Sequence, residues 1–541
     1  MFNKRECIIL SMEWFDLFIK IAFIVVFFAV MVYVGIRSRK KANSVNNYVL
    51  GGRSIGPWLS AFSYGTAYFS AVIFVGYAGQ FGWRFGISAT WIGIGNALIG
   101  ALLAWAVLGR RTRLMTHRLG AATMPDYFGK RFSSKQLRIA ASIIIFIFLI
   151  PYTASLYNGL GLLFQMAFGI DFKIVIVIMA VMTAVYVLLG GYIASTWNDF
   201  IQGIIMLFGI VMVVVAVIMS NGGLTAALTE LSMVDEGVYT SFFGPDLYGL
   251  IMVIILTSFG TWGLPQMVQK FYAIKSESAI KKGMIISTLF ALIIAGGCYF
   301  LGGFAHLYSP ATNDSGEILF DSIIPIMLEN LPVVVIAVVI VLVLSASMST
   351  LSSLVMSSSS TVTLDLIKGN IKKDMSEKQQ MLYIRVFIGI FIVVSAVIAM
   401  LQYEFKFAFI AQMMGVSWGA LAGSFLAPYL LSMYSKKISK ASVWACFAFG
   451  VAMSLTSLIL KLSGVSDTFT PADNWFLYGL FGSSIYTGAW TMAIGFIIVP
   501  VVSMFTKKPD AKKIDTMFEC FSVLAEKSDE DTVNTATMTD I

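Results

Sequence analysis

Thirteen apolar runs divide this chain, each near the roughly 20 residues a helix needs to cross a bilayer. They fall at residues 14–36, 57–77, 87–108, 139–166, 174–189, 200–219, 247–271, 284–308, 332–363, 381–400, 407–434, 441–462 and 478–504. Only 12% of the 541 residues are charged and 58% are hydrophobic, whereas soluble domains carry about 25% charged residues. These runs predict an all-α polytopic membrane protein. The first run follows the N-terminal segment with no small-residue cleavage site, so it is read as a span and not as a cleaved leader.

Loop charges predict the orientation. Arg37, Arg39, Lys40, Lys41 and Arg53 follow the first run, and Arg110, Arg111, Arg113, Arg118, Lys130, Arg131, Lys135 and Arg138 follow the third. Even-numbered connections are poor in Lys and Arg and carry Glu230, Asp235, Glu236, Asp246, Asp314, Glu317 and Asp321. Positive loops stay inside, which sets the N-terminus outside and the C-terminus in the cytoplasm of a plasma-membrane protein. The net charge of +8 therefore reports membrane orientation, not nucleic-acid binding. The polar residues 507–541 have little to bury and read as a disordered cytoplasmic tail.

Several chemistries lack their residues. The four cysteines are scattered and there are two histidines, His117 and His306, which suggests neither a disulfide framework nor a zinc site. GxxxxGK[ST] and HExxH patterns do not occur in the sequence, so neither ATP-driven transport nor an enzyme is expected.

Residues 344–363 are unusual. Twelve of the twenty are Ser or Thr, yet they continue the apolar run 332–343 without a break. A hydroxyl in hydrocarbon must bond its own backbone, another helix or something that enters from water. Ser349, Ser352 and Ser353 share one helix face and could offer oxygens to a cation; back-bonding and close helix packing are the alternatives. Two spans carry helix-weakening residues: 65–70, rich in Gly, Ser and Thr, and SFGTWGLPQ at 258–266. They lie five spans apart, and paired interruptions in corresponding positions point to an inverted-repeat transporter. Asp199, expected at the start of the sixth span, is a functional candidate because a carboxylate in a membrane is costly. An interfacial residue at a helix N-terminus is its alternative.

The motifs are specific. NYVLGGRSIGP at 47–57, MPDYFGKRF at 124–132, GGYIASTWNDFIQG at 190–203, SASMSTLSS at 345–353 and SFLAPYLLSMYSKK at 424–437 resemble, in order, segments of the sodium:solute symporter family. The resemblance implies a LeuT-type fold. Residues 1–45 would hold an extra helix, 46–220 and 221–440 two inverted five-helix repeats (core helices 1–5 and 6–10), and 441–506 two further helices. It implies Na+ as coupling ion, bound by the carbonyls of Thr66, Phe69 and Ala346 and the hydroxyls of Ser349 and Thr350. A second Na+ site would use Asp199, Ser352 and Ser353 with Ser349. Implied solute contacts are Tyr68, Ser70, Tyr152, Thr261, Trp262 and Gln266. The family's proline porters carry Asp in place of Tyr68 and aromatics in place of Thr257 and Thr261, whereas Pro265 and Tyr152 match them. Arg84, placed at the outer end of core helix 2, could attract a carboxylate but reads first as an interfacial snorkel. The implied function is Na+-coupled import of a small organic solute, an amino acid such as proline or a monocarboxylate, by a monomer in the lipid bilayer. A sugar or sialic acid symporter, a proton-coupled variant, a channel and a non-transporting sensor are the alternatives.

Overall fold

A computed structural model of the chain describes residues 4–38, 44–312, 316–372, 374–405 and 410–521. Helices account for nearly all of the regular structure, and two isolated bridges are the only β-pairing among the described residues. This follows from the solvent: without water every backbone group must be bonded within its own segment, and a helix does that. The principal helices are α1 (Lys4–Ser38), α2 (Pro57–Tyr68), α3 (Lys135–Phe168), α4 (Phe172–Ser220), α5 (Leu247–Gly263) and α6 (Pro265–Ala273). They continue with α7 (Glu277–Gly302), α8 (Val333–Thr361), α9 (Glu377–Phe405), α10 (Ile410–Tyr434), α11 (Lys440–Leu462), α12 (Ser484–Phe505) and α13 (Ala511–Phe518).

Ten helices among the described residues are long and apolar enough to cross a membrane, or eleven when the bent pair α5 and α6 counts as one span. The two segments short of the expected thirteen are irregular. The run 57–77 is cut at Phe69, where the backbone turns extended (φ −94°, ψ 114°). The run 174–189 is the first part of α4, of which Phe172–Val185 is the apolar piece. α4 breaks at Gly191 (φ 57°, ψ −165°), a conformation open to glycine alone. A Cβ there would also meet the Tyr48 ring at 2.7 Å.

Burial orders the helices around a centre. The most apolar stretch of α10 is 94% buried and that of the run Val333–Ile371, which contains α8, is 78% buried, against 11% for α1. The first two are therefore core helices. α1 presents Trp14, Phe15 and Phe18 outward, while its inner face packs on α4 and α8.

Ion pairs tie the loops at both membrane faces. Arg84 lies on Ala78–Phe85, the second half of the broken first core helix, and not at the end of core helix 2. It does not snorkel: it donates to Asp246 at 2.6 Å and to the Tyr478 hydroxyl at 3.0 Å. Asp246 in turn caps α5 through Gly249 N–H. At the opposite face α8 runs on as helix to Ile371 and buries Asp365, which accepts from Arg138 Nε at 2.7 Å and from the Thr123 hydroxyl at 2.6 Å. Asp126 of the MPDYFGKRF loop joins through Arg138 and Lys130. The tail departs from expectation: Ala511–Phe521 is helical, with Ile514 buried, Lys436 paired to Asp515 and Arg118 to Glu519. Residues 522–541 lie outside the described residues.

Removing one partner of a buried ion pair leaves the other charge uncompensated, at a cost of about 3 kcal/mol. Arg138→Gln should therefore lower the melting temperature of the purified protein by several degrees. An unchanged melting temperature would show that Asp365 does not depend on this guanidinium.

Candidate cation and solute site

Both helix interruptions anticipated from Gly, Ser and Pro are present. α2 ends at Tyr68 and helix resumes at Ala71. α5 and α6 meet at 48°, with Leu264 extended and Pro265 opening α6, where its missing N–H costs nothing.

The end of α2 hands a carbonyl to α8. Thr66 O accepts from the Ser349 hydroxyl at 3.0 Å and from the Thr350 hydroxyl at 3.1 Å. Both hydroxyls also reach Ala346 O, at 3.1 and 3.0 Å. Two carbonyls and two hydroxyls thus converge within one hydrogen-bond length, and all four residues are buried. Phe69 occupies the adjoining break and, with Ala346, lines a cavity of about 10 Å³, room for about one water-sized sphere. Four of the five expected cation ligands are therefore in mutual contact, with Phe69 beside them. A hydroxyl is donor and acceptor alike, so turning Ser349 and Thr350 about their C–O bonds would present four neutral oxygens to a hard cation, the ligand type such ions take.

The second set is arranged differently. Asp199 lies eight residues inside the helix that starts at Gly191 and is fully buried, so the interfacial alternative does not hold. Its Oδ2 accepts from the Ser63 hydroxyl at 2.5 Å. Lys270, on α6, is buried in the same place: its Nζ donates to Ser63 Oγ at 2.8 Å and to Ser353 Oγ at 3.0 Å, and stands 3.9 Å from Asp199. The ammonium also sits over the Tyr192 ring, 5.3 Å from its centroid. Ser352 turns away, bonding the Ser195 hydroxyl at 2.9 Å and Ser349 O. Asp199 and Ser353 are gathered around a lysine head group that sequence reasoning did not single out, and Ser352 is not part of that cluster.

The six solute candidates divide by their bonding. Tyr68 donates to Thr257 O at 2.6 Å, Trp262 Nε1 to Ile99 O at 3.1 Å, and Thr261 to the Gly100 and Ser258 carbonyls. Ile99 and Gly100 lie in the π-helical stretch Asn96–Leu103, whose wider turn leaves carbonyls free for side chains. These three side chains thus hold helices together. Ser70 accepts from Val72 N–H and caps the resumed helix. Tyr152 and Gln266 keep buried polar atoms without a protein hydrogen bond, and such atoms in a native fold call for a partner. Trp418 of α10, also missed from sequence, joins them. Its ring packs against Tyr68 and edge-on to Tyr152, and its Nε1 is likewise unpaired.

The profile of the sodium:solute symporter family matches residues 48–448, which contain every residue of the candidate site. The chain belongs to this family. It is 30% identical over 495 residues to the osmoregulated proline transporter OpuE of Bacillus subtilis, covering 90% of this chain and 94% of that one. The high-affinity proline transporter PutP of the same organism is 29% identical over 483 residues, covering 86% and 97%. A sodium/proline symporter of Staphylococcus aureus is 28% identical over 500 residues, covering 90% and 93%. Among solved structures, the substrate-bound outward-open state of a Na+-coupled sialic acid symporter superposes with a TM-score of 0.68 at 18% identity, covering 91% of this chain and 99% of that one. The fold is the LeuT type anticipated from the motifs, in a multi-pass membrane protein.

The Lys270–Asp199 contact has a measurable signature. Lys270→Met strands a buried carboxylate and should cost about 3 kcal/mol. Adding Asp199→Asn should restore much of the lost thermal stability. If the two losses simply add, the side chains do not interact.

Proposed function

We propose that this protein is a Na+-coupled symporter importing a small amino acid such as proline, with one Na+ bound by Thr66, Phe69, Ala346, Ser349 and Thr350. The observation that carries the reading is the convergence of two carbonyls and two hydroxyls from a broken helix and its hydroxyl-rich partner. Lys270 takes the part of a second cation. Its ammonium already bonds Ser63 and Ser353 beside Asp199, so these groups satisfy a fixed positive charge and a second Na+ is not needed.

The solute lies between α2, α3, α6 and α10, against Tyr152, Trp418 and Gln266. The first turn of α6 supplies the positive end of its helix dipole, a setting that suits a carboxylate. The aromatic rings of Tyr68, Tyr152 and Trp418 suit a compact apolar body. The names of the three relatives support proline as the first solute to test. Each solute-binding and Na+-binding step strengthens the other by the same factor. The two five-helix repeats, residues 46–220 and 221–440, supply the elements that move, and the loop charges support an outside N-terminus.

Uptake into proteoliposomes, measured for proline, other amino acids, monocarboxylates and sugars, should require an inward Na+ gradient and favour proline. Uptake that ignores Na+ and follows a pH gradient would refute the ion assignment, and a sugar preference would refute the solute class. Ser349→Ala removes one ligand, and bonds to charged groups are worth about 1.5–3 kcal/mol. The half-saturating Na+ concentration should accordingly rise at least about tenfold. The Hill coefficient for Na+ in the wild-type protein should be near one. A value near two would restore the second Na+ site and displace Lys270 from its role.

A further inference from the structure

We propose that the membrane face carrying the tail holds a site for an anionic phospholipid headgroup, between the MPDYFGKRF loop, the start of α11 and the residues after α12. A cleft of about 540 Å³ opens there, with Arg131, Lys440, Lys507, Lys508 and Lys513 in its wall. One carboxylate, Asp510, shares the wall, and it is engaged as the N-cap of α13 through Lys512 N–H. None of the four lysines forms an ion pair among the described residues. Five cations thus converge against a single carboxylate.

Arg131 makes the cleft more than a patch of surface lysines. It is 1% exposed, and two of its nitrogens donate to Ser432 O and Ser435 O at 3.2 Å. Its remaining Nη1 is buried without a hydrogen-bond partner. A buried guanidinium N–H with nothing to bond is a costly group, and a phosphate oxygen is the acceptor that matches it best.

The position of the cleft selects a lipid over a soluble anion. It lies where two spans end: α11 begins at Lys440 and α12 ends at Phe505. Trp444, in the cleft wall one turn into α11, is 38% exposed, and Met504 and Phe505 beside the lysines are 75% and 85% exposed. A tryptophan at headgroup level next to lipid-facing apolar side chains suits an amphiphile with its phosphate among the lysines and its acyl chains along the helices. The bound lipid would join the tail to the transporter core, supplementing the Lys436–Asp515 pair and the stacking of Arg131 on Phe518.

Tryptophan quenching by acyl-brominated lipids tests this in the full-length protein. The share of Trp444 is the difference between wild type and Trp444→Phe. Brominated phosphatidylglycerol should quench that share at a several-fold lower mole fraction than brominated phosphatidylcholine. In the triple variant Lys507→Gln, Lys508→Gln, Lys513→Gln that preference should be lost, since each lysine near the surface is worth about fivefold, with solute uptake showing that the variant is folded. Millimolar inorganic phosphate should leave the quenching unchanged. Equal quenching by the two lipids, or a preference that survives in the triple variant, would overturn the proposal. Displacement by phosphate would overturn it in favour of a soluble-anion site.

Discussion

A carbonyl released from a helix inside a bilayer has no water to turn to, and the centre of this protein is built around that fact. Where α2 stops at Tyr68, the Thr66 carbonyl is taken up by Ser349 and Thr350 of α8. Each of those hydroxyls already reaches a carbonyl of its own helix. The break is tolerated because the neighbouring helix is rich in small donors, and those donors are useful because the break supplies an acceptor. A cation entering this cluster would replace hydrogen bonds with coordination and leave no oxygen stranded in either state. The same logic explains why α8 sits at the centre while α1, with no break to satisfy, lies against lipid.

The Asp199–Lys270 pair works by a different balance. Two charges removed from water are individually expensive, and their attraction offsets the cost only when other groups complete the bonding. Ser63 is central here, since it donates to the carboxylate and accepts from the ammonium through one oxygen. Ser353 and the face of Tyr192 supply the rest. Because these partners come from α2, α4, α6 and α8, the pair joins four helices at one point.

The legible and illegible parts of this structure separate along physical lines. Span positions, the paired interruptions and the hydroxyl-rich face of α8 were readable because hydropathy, glycine, proline and local motifs are written in consecutive residues. Lys270 was not: it stands at the end of an apolar run, where a lysine ordinarily reaches water, and its partner is 71 positions away. Arg84 failed for the same reason, its acceptor Asp246 lying 162 positions further on. Trp418 was lost among neighbours of equal hydropathy, since only the ring packing of Tyr68 and Tyr152 singles it out. The tail misled through composition. Its polar residues bury little by themselves, but its Asp515, Glu519 and Phe518 find cationic partners in Lys436, Arg118 and Arg131.

A cation bonded to the polypeptide cannot be released on the far side of the membrane. On the proposed reading, in which Lys270 stands in for a second Na+, a cycle carrying one Na+ and a zwitterionic solute would translocate one elementary charge. A membrane potential of 100 mV then contributes about 2.3 kcal/mol per turnover, half of what a two-ion carrier would draw from the same voltage. With that stoichiometry the steepest solute gradient the protein could sustain would be correspondingly lower, and each solute molecule would bring in half as much sodium for the cell to expel.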